Sequence, residues 1–415
     1  MEEIEIRTKT DAKTKTETET KAKITYLVKL TPQEPYFFGN EKRFIFAKED
    51  NQGQMGNSYF IKSEKTPLQT TLLGMMRYIL APMKGTDNIG EPDNNEVIGE
   101  ESFNIEYLKQ EFGVIEDLSP LFLMKGEDKY VVTPFDCVDD KKKNYSTFFD
   151  ETEEDEDKRN KKIYFYTPFK KYRKIETDSG EKWYAAEFDV KEDIENSYVR
   201  LSDKKIVKAD DIFGTDVRVG NKKKTSGKAK QKDSGFFKKE YCYLKDGFIF
   251  AFYVTLNAEK LNKEKEKLNK ETSNEKKGTS LDIPKSSEKT QVFLGQGKSL
   301  FTVEFTEAEN TLSQEVAKIL PENICYCLSD VYTTSEIYNS CLFSITQTKD
   351  YRSYITKAKG KIEKGSVLYK LIKAGSVFIV SDKEKFNKQI NQDKAHCQKI
   401  GWNILIQNEN QEGKS

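Results

Sequence analysis

Apolar positions along this chain repeat with two different periods. From Ile24 to Leu30, alternate residues Ile24, Tyr26, Val28 and Leu30 share one face, which predicts a strand with one side against a core. Gly247 to Leu256 does the same through Phe248, Phe250, Phe252, Val254 and Leu256. Shorter apolar runs at 163–169, 183–190, 299–305, 341–346, 375–380 and 402–407 predict further strands, the first two forming a hairpin. The period changes in Tyr59–Leu80. A short strand ends at Lys62 and Ser63, and Thr66 and Pro67 read as N-cap and first helical residue. Leu68, Leu72, Met75, Met76 and Ile79 then make a core face. A second helix, Glu307 to Leu320, turns Leu312, Val316 and Ile319 inward and stops at Pro321.

The order strand, helix, hairpin, strand, then strand, helix and strands, fits two α+β units. A doubly wound sheet would show regular βαβα alternation with short linkers. The fold class is therefore α+β, with two sheets of the split-βαβ (ferredoxin-like, RRM-like) type carrying long charged loop insertions. Residues 1–22 alternate Lys, Glu and Thr and form a disordered charged tail. Residues 23–256 make the first domain and 290–415 the second, joined by a polar insertion at 257–289 that is weakly helical at its start. Within the first domain, 137–162 is a solvated acidic insertion, in which Asp150 to Asp157 carries seven acids in eight positions.

Composition narrows the function by exclusion. Lys+Arg and Asp+Glu balance at 69 each, so only the local distribution of charge can point to a partner. No run approaches the ~18 apolar residues of a membrane span, and the charged N-terminus is no signal peptide. Six scattered cysteines, of which only Cys325 and Cys327 are close in sequence, read as reduced thiols of a cytoplasmic protein without membrane contact. With His396 the sole histidine, no Cys/His metal site can form, and no metal or cofactor is implied. His396 lies in the polar stretch QDKAHCQKI and reads as a surface residue rather than a general base. The dense carboxylates fall in loops. These features argue against an enzyme.

Three segments carry chemistry suited to a polyanion. On the first helix, Thr70, Gly74 and Arg77 lie at i, i+4 and i+7, a small polar face with a bare backbone and a guanidinium. Residues 218–239 hold nine basic residues against one acid: Arg218, Lys222, Lys223, Lys224, Lys228, Lys230, Lys232, Lys238 and Lys239 against Asp233. Gly220, Gly227 and Gly235 keep that loop pliable, and Phe236 and Phe237 follow at once. Phosphate neutralisation and base stacking need this combination. Gly295, Gln296, Gly297, Lys298 and Ser299 form a glycine-rich turn. It is not a nucleotide-hydrolysing phosphate loop, because the required earlier glycine is Val292 and a strand follows rather than a helix. Its backbone N–H groups and one cation can still hold a phosphate.

Taken in order, EPYFFG, KSEKTPLQTTLLGMMRY, VRVG, GFFKKEYCYL, GFIFAFYV, LGQGKSLF, LYKLIKAGSVFIV and GWNILI resemble the RAMP proteins of CRISPR effector complexes. More narrowly they resemble the Cas-five-like third subunit of type III-B Cmr complexes, from roughly Ile24 to Gln407. The resemblance implies two ferredoxin-like domains, no nuclease activity, and binding of the 5′ repeat-derived handle of the CRISPR RNA. It also implies contact with the large polymerase-like subunit and with the backbone RAMP subunits, in antiviral defence. Carried onto this chain, the handle would run over Lys62, Ser63, Gln69, Thr70, Thr71 and Arg77, then the basic loop with Phe236 and Phe237, then Gly295 to Ser299. The turn lacks the fuller glycine run frequent in RAMP proteins, and 1–22 and 257–289 have no counterpart. Two other readings remain open: a RAMP endoribonuclease that processes precursor CRISPR RNA, and a protein scaffold without RNA contact. A type I handle-binding subunit is a third open reading, though those proteins tend to be shorter.

Overall fold

The alternation that begins at Ile24 becomes β1 (Lys23–Pro32), whose Val28 and Leu30 are fully buried. The computed structural model describes residues 23–39, 44–49, 55–81, 95–99, 102–135, 165–166, 171–177, 180–185, 197–221, 236–272, 288–295, 297–309, 311–320, 324–357, 361–391 and 395–407. The acidic run of 137–162, the tail 1–22 and Lys222 to Lys232 lie outside them. On one side β1 pairs antiparallel with β11 (Phe248–Asn257), Lys23 facing Asn257 and Leu30 facing Phe250. On the other it pairs with β13 (Ser299–Glu307), Tyr26 facing Glu307.

Between these strands the chain adds β2 (Phe44–Glu49), β3 (Met55–Lys62), α1 (Gln69–Leu80), β4 (Ile115–Leu118), β5 (Phe122–Lys125), β6 (Asp128–Val132), β7 (Ser197–Arg200), β8 (Ile206–Lys208), β9 (Phe213–Asn221) and β10 (Phe236–Leu244). After β11 come α2 (Ala258–Thr272) and β12 (Lys289–Leu294). The described residues give a nine-stranded sheet of order β8-β7-β6-β5-β11-β1-β13-β12, with β4 also on β11. Its central elements run β1, α1, β5, β11, α2, β13 in sequence, and their strands lie in the spatial order 4-1-3-2, every pair antiparallel.

A second sheet repeats that order. It comprises β14 (Cys325–Cys327), β15 (Cys341–Ile345), β16 (Val377–Val380) and β17 (Leu405–Gln407), arranged β15-β16-β14-β17. A 3-10 helix at Ser335–Ser340 stands between the first two strands, and α4 (Lys383–Asn391) and α5 (Ala395–Lys399) stand before the last. The protein is thus mixed α and β with mostly antiparallel sheets. β12 and β13 follow the 257–289 segment yet belong to the first sheet, so that sheet runs across the boundary expected at 289. The segment itself supplies α2, whose Leu261 is buried in the first core.

The nine-stranded sheet is buried on two faces for different reasons. Phe250, Phe252, Val254, Phe301, Val303 and Phe305 pack with Leu72, Leu73, Met75 and Met76 of α1. The opposite face, through Phe122, Met124, Ala251 and Tyr253, is covered by Tyr326, Val377 and Ile406 of the second sheet and by Leu312 and Val316 of α3 (Leu312–Ala317). Tyr326 donates its hydroxyl to the Val132 carbonyl at 2.6 Å, and Lys129 pairs with Glu315 of α3.

Three expected boundaries move. Helix α1 begins at Gln69 with Leu68 as an extended N-cap (φ −71°, ψ 152°) and no side-chain cap, so the first turn starts two residues later than Thr66 and Pro67 suggested. The helix expected from Glu307 starts only at Leu312, since strand pairing holds the chain extended to Glu307. The hairpin expected from 163–169 and 183–190 instead pairs Lys171–Thr177 with Gly180–Ala185, with Phe165 and Tyr166 added at its edge.

Candidate nucleic-acid interface

The segment Pro35 to Phe38 is the hub on which separate parts of the chain meet. Tyr36 and Phe37 are fully buried and Phe38 nearly so. Tyr36 exchanges two backbone hydrogen bonds with Cys242 of β10, at 2.8 and 2.9 Å, and its hydroxyl donates to the Lys65 carbonyl. Phe38 N–H donates to Ser63 Oγ at 2.9 Å, and Glu64 N–H to the Phe38 carbonyl at 2.8 Å. Ser299 donates its hydroxyl to the Pro35 carbonyl at 3.2 Å. Gly295 lies so close to Phe37 that an added Cβ would sit 2.3 Å from its carbonyl oxygen, and at φ 76° the position favours glycine twice over.

β10 carries the cations. It pairs antiparallel with β9 and parallel with β3, and β3 pairs with β2, giving a four-stranded sheet. Register places Arg218 opposite Lys239 and Asp216 opposite Tyr241. The Lys239 ammonium lies 4.0 Å from the centre of the Phe37 ring and 5.3 Å from that of Tyr241. The Arg218 guanidinium lies 4.5 Å from the Tyr241 ring, and its Nε donates to Asp216 at 2.9 Å. Phe37 and Tyr241 meet edge to face at 5.6 Å. A cation over a ring gains about 0.5–1 kcal/mol at an exposed site. That, with the Arg218–Asp216 ion pair, helps position both cations, and most of their N–H donors have no partner among the described residues. Next to this ladder, Gly297 approaches Tyr241, where an added Cβ would lie 3.7 Å from its ring. Lys298, exposed and at φ 51°, closes the turn with its N–H donating to the Gly295 carbonyl.

Of the residues singled out in the sequence, Ser63, Arg218, Gly295, Gly297, Lys298 and Ser299 come together here. Phe236 and Phe237 begin β10 opposite Asn221 and Gly220, so the basic loop is the β9–β10 hairpin connection. Lys222, Lys223, Lys224, Lys228, Lys230 and Gln296 lie outside the described residues. Lys62 is exposed, but strand alternation aims it at the other face, over the Phe60 ring at 5.5 Å.

The helix residues separate from the cluster. Gln69 is 7% exposed and donates to the Ser119 carbonyl at 2.8 Å, facing the interior. Thr70 and Thr71 are half-buried in the first turn, and Gly74 is open, with nothing within 4 Å of an added Cβ. Arg77 reaches the Glu111 carbonyl at 3.4 Å and the Phe112 ring at 5.7 Å, and burial lowers its pKa to about 10, which leaves it charged at neutral pH. His396 corrects the surface expectation. It is 3% exposed, stacks on Phe103 at 5.9 Å, and sets its Nε2 2.8 Å from the Ile105 carbonyl. Its polar neighbours in sequence hid the apolar face that α5 buries.

Sequence reasoning did not single out Phe37 or Tyr241 as site residues, and it counted Lys239 without placing it. The alternation in FFKKEYCYL sets Phe237, Lys239, Tyr241 and Tyr243 on one face, and that signal alone would have grouped them.

Among families of known proteins, the model for "CRISPR-associated protein (Cas_Cmr3)" matches residues 28–323. No curated protein matches. Among solved structures, the chain is similar to one from the cryo-EM structure of the Type III-B Cmr-beta bound to cognate target RNA and AMPPnP, state 1. That likeness has 12% identity and a TM-score of 0.43 over 92% of this chain and 95% of that one. The family match spans well over half of the sequence, and the chain belongs to the Cmr3 family of CRISPR-associated proteins.

Proposed function

We propose that this chain is the non-catalytic, cytoplasmic subunit that holds the 5′ repeat-derived handle of the CRISPR RNA. In that role it bridges the large polymerase-like subunit to the backbone of RAMP subunits. Family membership supplies the setting. The 4-1-3-2 strand order found in both sheets supports reading them as two ferredoxin-like (RRM-like) units of the RAMP type. The observation that carries the handle-binding role is the ladder Arg218, Tyr241, Lys239, Phe37 set beside the Gly295–Ser299 turn. Fixed cations track phosphates, backbone amides at a tight turn accept one phosphate closely, and a half-buried tyrosine offers a ring edge to a splayed base. A non-catalytic role is supported by the only histidine being engaged inside the core, away from this cluster.

The test is retention of CRISPR RNA by assembled effector carrying Arg218→Ala with Lys239→Ala, measured against salt. Two lost phosphate contacts make the plot of log affinity against log salt shallower by about 1.4. A slope and affinity equal to wild type would favour the scaffold reading and overturn this one.

A further inference from the structure

Phe293 is the most exposed large apolar side chain among the described residues, at 67%. It sits on β12, the edge strand of the nine-stranded sheet, facing Leu300 of β13 across the hairpin that the Gly295–Ser299 turn closes. Its neighbours Val292 and Leu294 point to the opposite face and are buried with α1. On the face that Phe293 shares, the cover supplied by the second sheet reaches β5, β11 and β1 through Phe122, Met124, Ala251, Tyr253 and Leu27, and β12 and β13 lie past it. What remains open there is Phe293, the exposed Gln291, and half-buried Leu300 and Thr302. The nearby acid Glu34 is exposed and accepts the Leu300 N–H at 2.9 Å, while Glu304, farther along β13, is paired with Lys289 at 3.1 Å.

The chemistry of this strip is one bare ring, an amide and a hydroxyl, with the Glu34 carboxylate held by a backbone N–H beside Leu300, and it ends two strand steps (about 7 Å) from a glycine-rich turn with an exposed lysine. We propose that Phe293 is a stacking platform for one unpaired base of single-stranded RNA whose phosphate lies at the Gly295–Ser299 turn. The inference rests on the RNA-binding reading above and adds the residue that grips a base rather than the backbone. An aromatic face accepts any base, so this contact contributes affinity and register without sequence preference. Gln291 and Thr302 line the same strip and are placed to hydrogen-bond the edge of the stacked base.

The experiment compares effectors assembled with wild type, Phe293→Ala and Phe293→Trp, reading the dissociation rate of the CRISPR RNA. Alanine speeds release roughly fivefold to hundredfold, and tryptophan restores retention. Because the side chain is exposed, the thermal midpoint of the full chain stays at the wild-type value. Equal release by alanine and wild type overturns the proposal. If the Arg218→Ala, Lys239→Ala effector still loses RNA in that case, the handle-binding reading survives; if neither variant loses RNA, both fail. A benzophenone amino acid at 293 separates the occupants: an adduct with RNA supports the platform, and an adduct only with a neighbouring subunit overturns it.

Discussion

Lys298 is a lysine where a glycine would be at ease. Its φ of 51° lies in the left-handed region, which costs a residue with a side chain about 1–2 kcal/mol. Strain of this kind persists where the surroundings over-determine the conformation, and it clusters at binding sites. Lys298→Gly relieves the strain but loosens the unfolded chain, so stability stays within about 1 kcal/mol of wild type. RNA binding nevertheless weakens, and the salt plot becomes shallower by about 0.7 for the one lost phosphate contact. Parallel thermal melts and salt titrations check the separation; a large loss of stability would mean the lysine is structural. At this scale the sequence was informative where spacing alone decides, as at Gly295, Gly297 and Lys298. It misled at Gln69 and His396, whose local polarity pointed outward while distant partners, Ser119 and Ile105, drew them in.

Elements with an alternating apolar face were legible. β1, β11 and β13 follow the alternation seen in the sequence because each turns one apolar face to α1 and α2. The hairpin of Lys171–Thr177 and Gly180–Ala185 was misplaced because its strands carry few apolar residues; the Asp178-Ser179 step between them was the usable turn signal. The docking of α1 against the end of α5 depends on contacts no local pattern reveals. Gly401, at φ 82°, leaves room for Gln69: an added Cβ would lie 2.0 Å from Nε2 and 2.6 Å from the Ser119 carbonyl. Gly401→Ala therefore destabilises the protein by roughly 2 kcal/mol or more, combining backbone strain with overpacking. Chemical denaturation measures it, and an unchanged midpoint would show that α1 and the 401 turn are not locked together.

For the whole molecule, the order of elements along the chain foretold a mixed α and β protein of mostly antiparallel sheets rather than a doubly wound one. The point of division was not legible, because β12 and β13 return across the polar 257–289 segment to β1, and strand partnership over such separations leaves no local trace. The same long-range pairing builds the interface: 35–38, 218, 239–241 and 295–299 are remote in sequence and meet only once β1, β10 and β13 are in place. The proposed role requires this meeting point to hold the handle. Photo-crosslinking tests it most directly, with thiouridine placed in the 5′ handle of an assembled effector and adducts mapped by peptide mass spectrometry. Adducts are expected on peptides spanning 218, 236–241 and 293–299 of this chain. Adducts confined to other subunits, or on this chain only around Arg77, would contradict it.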